Sequence, residues 1–235
     1  MIARLTWVVL GICVLNACGA FAQERAASPP DTMQERMQAC EPCHGRQGAG
    51  TNNDYFPRIA GQPAAYLHEQ LLGFHNDSRH YAPMNYLLEF LPDSYLQKIA
   101  AYFASLHPLA PPPPPPEASI AVLTHGKTLA TEGDPAHDIP ACTSCHGSAL
   151  TGMQPDIPSL LGLRANYISS QLGAVRYRAR NPTASTCMQR IVMHMTGQDI
   201  TAVAAWLASQ PVPPDAAPLP AGSLSLPMPC GSAAP

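Results

Sequence analysis

Cys40-Glu41-Pro42-Cys43-His44 and Cys142-Thr143-Ser144-Cys145-His146 are two copies of one pentapeptide, C-x-x-C-H, in a chain of 235 residues. The spacing is the signature of covalent haem attachment. Two thiols three residues apart reach neighbouring vinyl groups as thioethers, and the adjacent His lies under the ring and binds iron. Zinc would require two Cys pairs, or a Cys pair and a His pair, close enough to share one ion, whereas these pairs stand 102 residues apart. A thioredoxin-like redox pair belongs after a strand in a βαβ pattern, which the chain lacks, and has no use for the trailing His. The expectation is two covalently bound haems c, attached through Cys40, Cys43, Cys142 and Cys145, with His44 and His146 as axial iron ligands.

Outward from these motifs the chain repeats itself. Pro57 and Pro158, Gly61 and Gly162, Tyr66 and Tyr167, and Gln70-Leu71 and Gln171-Leu172 match at an offset of 101. After a three-residue insertion Met84 meets Met188 and Tyr102 meets Trp206 at an offset of 104. Such self-similarity is the mark of an internal duplication. The run Pro111 to Pro116 divides the copies and reads as an extended, semi-rigid spacer. The organisation expected is a signal peptide at 1–22, a first domain at 27–107, a Pro-rich linker at 108–118, a second domain at 119–210 and a Pro-rich tail at 211–235. Each half is small for a stable apolar core unless a bound group adds buried area, which covalent haem would do. Helical spacing over 64–73, 94–106, 120–131, 166–173 and 201–209, a short helix at 32–40 and the lack of β-alternation predict an all-α fold. Three to four helices per half would wrap round the haem.

A low-spin electron-transfer haem takes a second axial ligand, and Met opposite His raises the reduction potential. Met84 is the only Met between His44 and the end of the first domain, in what reads as a loop before the last helix. The second half offers Met153, Met188, Met193 and Met195. The repeat selects Met188, because Met84 to Tyr102 and Met188 to Trp206 both span 18 residues; Met193 is the runner-up. Pro57 and Pro158, 13 and 12 residues after the two histidines, are either loop stops or the carbonyls that orient the outer ring nitrogens. Arg58, Gln62, Tyr66, Arg79, Tyr167, Arg176 and Arg180 are the polar residues suited to haem carboxylates.

At the N-terminus, Met1-Ile2-Ala3-Arg4, an uncharged stretch from Leu5 to about Leu15, and Ala20-Phe21-Ala22 read as a secretory signal peptide. Two alternatives place the protein on a membrane. Leu5 to Ala22 is 18 residues without charge, the lower limit for a retained span, and Leu15-Asn16-Ala17-Cys18 has the form of a lipoprotein cleavage box with Cys18 lipidated. All three readings export the protein, and a soluble periplasmic location is expected. Thiols in an oxidising compartment tend to pair. With Cys13 and Cys18 removed and four cysteines in the motifs, Cys187 and Cys230 remain, and a disulfide between them would pin the tail to the second domain. Otherwise Cys187 is an apolar filler and Cys230 lies in a disordered tail. Charged residues make up 12% of the chain and the net charge is -3, which lacks the basic face that nucleic acid requires.

Together these residues resemble the class I cytochromes c, and the tandem arrangement is similar to the dihaem cytochromes of the c-four type. The resemblance covers about residues 32–209. It rests on both C-x-x-C-H motifs, the Pro after each, Gly61-Gln62 with Tyr66, the Met positions, and the endings Ile99-Ala100-Ala101-Tyr102 and Val203-Ala204-Ala205-Trp206. It implies tandem all-α haem domains with neighbouring haem edges, carrying single electrons from a respiratory donor to a terminal oxidase or other periplasmic acceptor. The partners implied are redox proteins: a terminal oxidase, a quinol-oxidising complex or a dehydrogenase. Two other readings stand beside it. One is a cytochrome subunit of a dehydrogenase complex. The other is a dihaem enzyme, a peroxidase or a thiosulfate-oxidising protein, with one open haem site, for which Cys187-Met188 is the place to look. The chain departs from the pattern at Leu163, where a Gln is expected, in its long linker, and in its Cys-bearing tail.

Overall fold

The computed structural model describes residues 31–177, 179 and 186–230. The expected signal peptide with its two anchored alternatives, the start of the first domain at 27–30, Arg180 and the tail end at 231–235 lie outside the described residues.

Among the described residues the regular structure is helical, and β-pairing is limited to isolated bridges. In the first half, α1 (Met33–Met37) starts at Thr32, whose hydroxyl accepts the Glu35 N–H at 3.2 Å. A 3-10 turn over Gln38–Cys40 leads into α2 (Glu41–His44), the single turn that carries the first attachment motif. Then come α3 (Ala64–His75), α4 (Ala82–Leu88) and α5 (Asp93–Ala104). The second half contains α6 (Ile120–Thr131), α7 (Thr143–His146), α8 (Ala165–Arg176), α9 (Thr186–His194) and α10 (Gly197–Ala208). The duplication is therefore visible in space, with α2–α5 repeated as α7–α10. Acidic residues at the starts of the two last helices, Asp93 and Asp199, suit the positive end of each helix dipole.

Among the described residues the halves hold five α-helical segments each, more than the three to four expected. Two causes account for the difference. The single turns α2 and α7 are too short to show a periodicity. The stretch holding Met84, expected as a loop, is helix α4, because Pro83 sits in its first turn, where a missing N–H costs nothing.

Each half has its own core. Met37, Leu67, Leu88, Leu96, Ile99 and Phe103 fill the first, and Leu129, Ile139, Val192, Ile200, Val203 and Leu207 the second. In the second, α6 crosses α10 so closely that a Cβ on Gly126 would stand 2.0 Å from the Ala202 carbonyl oxygen, so only glycine allows the approach. The tail forms a third cluster on the second attachment motif, where Leu226 is buried with Cys145, Met153 and Ile157. Leu219 donates its N–H to Gly152 at 2.9 Å and accepts from the Gln154 N–H at 2.8 Å.

The halves also meet directly. Asp54 accepts from the Asn166 amide at 2.8 Å and from Arg164 at 3.4 Å. The Arg79 guanidinium donates to Gln70 at 3.0 Å in its own half, and to Gln171 at 2.8 Å and Tyr167 at 3.2 Å in the other. One cation thus holds both copies of the same glutamine. The linker prolines, 111–116, adopt neither helix nor strand.

Candidate functional site

The short helices α2 and α7 carry the second Cys and the His of each motif, and the first Cys, at the N-cap with right-handed helical backbone, continues the same face, since positions i, i+3 and i+4 are neighbours. Cys40, Cys43, Cys142 and Cys145 are unpaired thiols. Burial raises the pKa of Cys40 and Cys145 and pushes that of Cys142 up to about 11. His44 and His146 are buried. The Nδ1–H of His44 donates to the Pro57 carbonyl at 2.9 Å, and that of His146 to the Pro158 carbonyl at 2.7 Å. A carbonyl can only accept, so the tautomer is fixed and Nε2 keeps its lone pair. Burial holds the pKa of both rings below the usual histidine value, against the opposing effect of the proline carbonyls; the Arg79 charge adds to the lowering at His44. The neutral ring is the form that binds a metal.

The methionines separate by position. Met84 lies half-buried on α4, packed against the first core. On α9, Met188 shares a face with Val192, at i and i+4, and Met195 follows just past the end of the helix. Val192 and Met195 are 0% and 5% exposed, whereas Met193 turns outward at 57%. Met195 belongs to the second core and Met153 to the tail cluster. Met188 is thus the methionine of the second half that is neither placed in a core cluster nor turned to solvent. Beside it, Cys187 is fully buried and joined to Cys230 by a disulfide. Its sulfur is therefore not a thiolate ligand.

The residues present fit two covalently held haems. The donor set in each half is two thiols and one imidazole with a free Nε2. Arg58 supplies a further observation. It is 3% exposed, and its Nε and Nη1 have no hydrogen-bond partner among the described residues. Burial lowers its pKa. A buried cation without a partner costs several kcal/mol, and haem carboxylates are the group that would satisfy it. Its stem runs along the boundary of the halves, where a Cβ on Gly162 would approach Arg58 Cδ to 2.8 Å. Arg79 and Tyr167, also read as carboxylate partners, bond each other across the halves, and Arg79 also reaches Gln171. Gln62 reaches Ser159 of the other half, a contact the sequence carries no local signal for. Tyr66 keeps to the first core, and Arg176 lines an outward cleft.

Comparison with known proteins agrees with this geometry. The Cytochrome c family model matches residues 123–211. A thiosulfate dehydrogenase electron acceptor of Thiomonas intermedia is 34% identical over 207 residues, 88% of this chain and 92% of that protein. A cytochrome c4 of Pseudomonas aeruginosa is 30% identical over 198 residues, 83% and 96% of the two chains. The crystal structure of reduced cytochrome c4 from Pseudomonas stutzeri superposes with a TM-score of 0.66 at 29% identity, covering 75% of this chain and 95% of that one. Two attachment motifs on duplicated helical frames, matched along nearly the whole length of such relatives, mean that this chain binds two haems c covalently, carries electrons, and belongs to the dihaem class I c-type cytochromes, the family of the cytochromes c4.

Proposed function

We propose that both irons are closed by protein ligands, His44 with Met84 and His146 with Met188, the haems being fixed by Cys40, Cys43, Cys142 and Cys145. The chain would then be a periplasmic carrier that takes single electrons from a dehydrogenase and delivers them to a terminal oxidase or similar acceptor. The observation that carries this reading is the repeated donor set. In both halves a proline carbonyl holds the imidazole with Nε2 free, and a helix before the last one presents a half-buried methionine. A filled sixth position makes a carrier, because a catalyst needs an open site for its small molecule. The disulfide at Cys187 supports the same side of the choice, as it removes the thiolate that an unusual second site would use.

For the donor, the Thiomonas relative is named for its service to a thiosulfate dehydrogenase, and two haems in one molecule suit a donor that releases two electrons. We therefore assign this chain an enzyme that oxidises thiosulfate as its electron source. The haem is the redox group; the chain's own residues orient the imidazoles, exclude water and place a cation at the carboxylates.

The test combines spectra with turnover. The ferric protein should show the near-red Met-to-iron band at the strength of two haems, the ferrous protein should not change on addition of carbon monoxide, and catalytic thiosulfate dehydrogenase with thiosulfate should reduce both haems. A carbon monoxide shift at one haem would mark an open site and an enzyme. Reduction by a quinol-oxidising complex but not by the dehydrogenase would reassign the donor.

A further inference from the structure

Between Asp156 and Asp199 the sequence contains no carboxylate, yet it holds Arg164, Arg176, Arg178, Arg180, Arg190 and His194. In a chain of net charge -3, this segment reverses the local sign. Arg164 is engaged with Asp54. Arg176, at the end of α8, and Arg190 and His194, on α9, line an open cleft of about 480 Å³ together with Tyr177, Gln189 and Met193. Among the described residues no carboxylate pairs with any of the three basic groups. Tyr177 is 79% exposed and Met193 57%.

We infer that this cleft is the docking surface for an acidic redox protein, and that electrons pass to or from that partner through the second haem. The inference rests on the carrier reading above. Its composition is that of an interface centre, where Arg, Tyr and Met are enriched and Lys and Glu depleted. Its position is set by α9, which carries Met188 on its inner face and Arg190 and Met193 on its outer one. A protein seated in the cleft stands about 10 Å, one helix width, from the proposed iron ligand. The duplication supplies an internal contrast. The positions of the first half that correspond to Arg190, Met193 and His194 are Tyr86, Glu89 and Phe90. Tyr86 and Phe90 are exposed at 76% and 83%. The same frame therefore offers a cationic face at one haem and an apolar, acidic face at the other, so the two haems address different partners. Charge complementarity acts mainly on the association rate and weakens with salt.

The test uses the holoprotein and an acidic blue-copper protein of the plastocyanin type as probe, with electron transfer followed by stopped flow at low and physiological ionic strength. The variant R190E/H194E should slow the second-order rate by about tenfold or more at low salt and abolish its fall with salt. K98E, a charge reversal of the same sign at an exposed position on α5 of the first half, outside both faces, should leave the slope intact. Reduction of both haems by ascorbate reports on the carrier reading separately, since that reagent needs no protein docking. A wild-type rate and slope in R190E/H194E overturns the inference. So does a loss confined to hexacyanoferrate, which would make the cleft a small-anion site.

Discussion

Gln62 of the first half holds both backbone groups of Ser159 in the second. Its Oε1 accepts the Ser159 N–H at 2.8 Å, and its Nε2 donates to the Ser159 carbonyl at 3.2 Å. Ser159 follows Pro158, whose carbonyl takes the Nδ1–H of His146. A side chain of one domain thus fixes the peptide beside the group that orients the other domain's histidine. The relationship runs one way, because Leu163 occupies the repeat position of Gln62 and has no amide to return it. Both partners are buried, at 3% and 1% exposure, so no water replaces the bonds.

Q62L, which copies the second half's own residue, should therefore destabilise the protein by about 1–3 kcal/mol through the unsatisfied Ser159 groups. It should also move the potential of the second haem while leaving the first in place. A redox titration that resolves the two haems, read with thermal unfolding, checks both effects.

Met84 and Met188 are each expected to account for half of the near-red ferric band. M84H and M188H should each remove half of it and lower one potential, because loss of the thioether ligand favours the ferric state. M193A should leave the band whole, since that side chain turns to solvent. Loss of band in M193A and retention in M188H would exchange the two assignments.

The disulfide between Cys187 and Cys230 closes a separation of 43 residues. Replacing both cysteines by Ala should cost at most about 4 kcal/mol by the loop-entropy argument. The tail should become open to protease, and the Met-to-iron bands should persist. The packing of Leu219 and Leu226 over Cys145 predicts a larger effect on stability of the second domain than of the first, which thermal unfolding followed at each haem would reveal.

At the start of α10, Thr196 and Asp199 cap each other, and Asp199 also bonds His125 at 2.6 Å. Burial on its own would raise the Asp199 pKa, but the bonds from the Thr196 side chain and backbone and from His125 outweigh it, and the net shift is downward. A carboxylate with a depressed folded pKa contributes stability above its unfolded value, and loses it as pH falls through the folded one. T196A should cost about 1 kcal/mol at neutral pH. D199N should narrow the fall in melting temperature between neutral and acid solution relative to wild type. An unchanged acid profile in D199N would remove this carboxylate from the account.

The two attachment motifs, the offsets of 101 and 104, and the helical spacing that runs into α3, α5, α6, α8 and α10 were legible in the sequence because each depends on residues close along the chain. Thioether spacing and amphipathic periodicity are local constraints. The helix α4 was less legible, since a proline in a first turn looks like a break.

Sequence by itself thus determined a duplicated all-α protein with two covalent haem motifs and named the histidines, the methionines and the unassigned cysteine pair. Only the tertiary structure decided how the copies join and differ. Gln62 meets Ser159 at a separation of 97 residues, Arg79 ties Gln70 to Gln171, and Arg58 is buried beside Gly162. Such partners are chosen by the packing of one domain on the other, and no period or motif along the chain encodes which polar groups that packing leaves to satisfy one another.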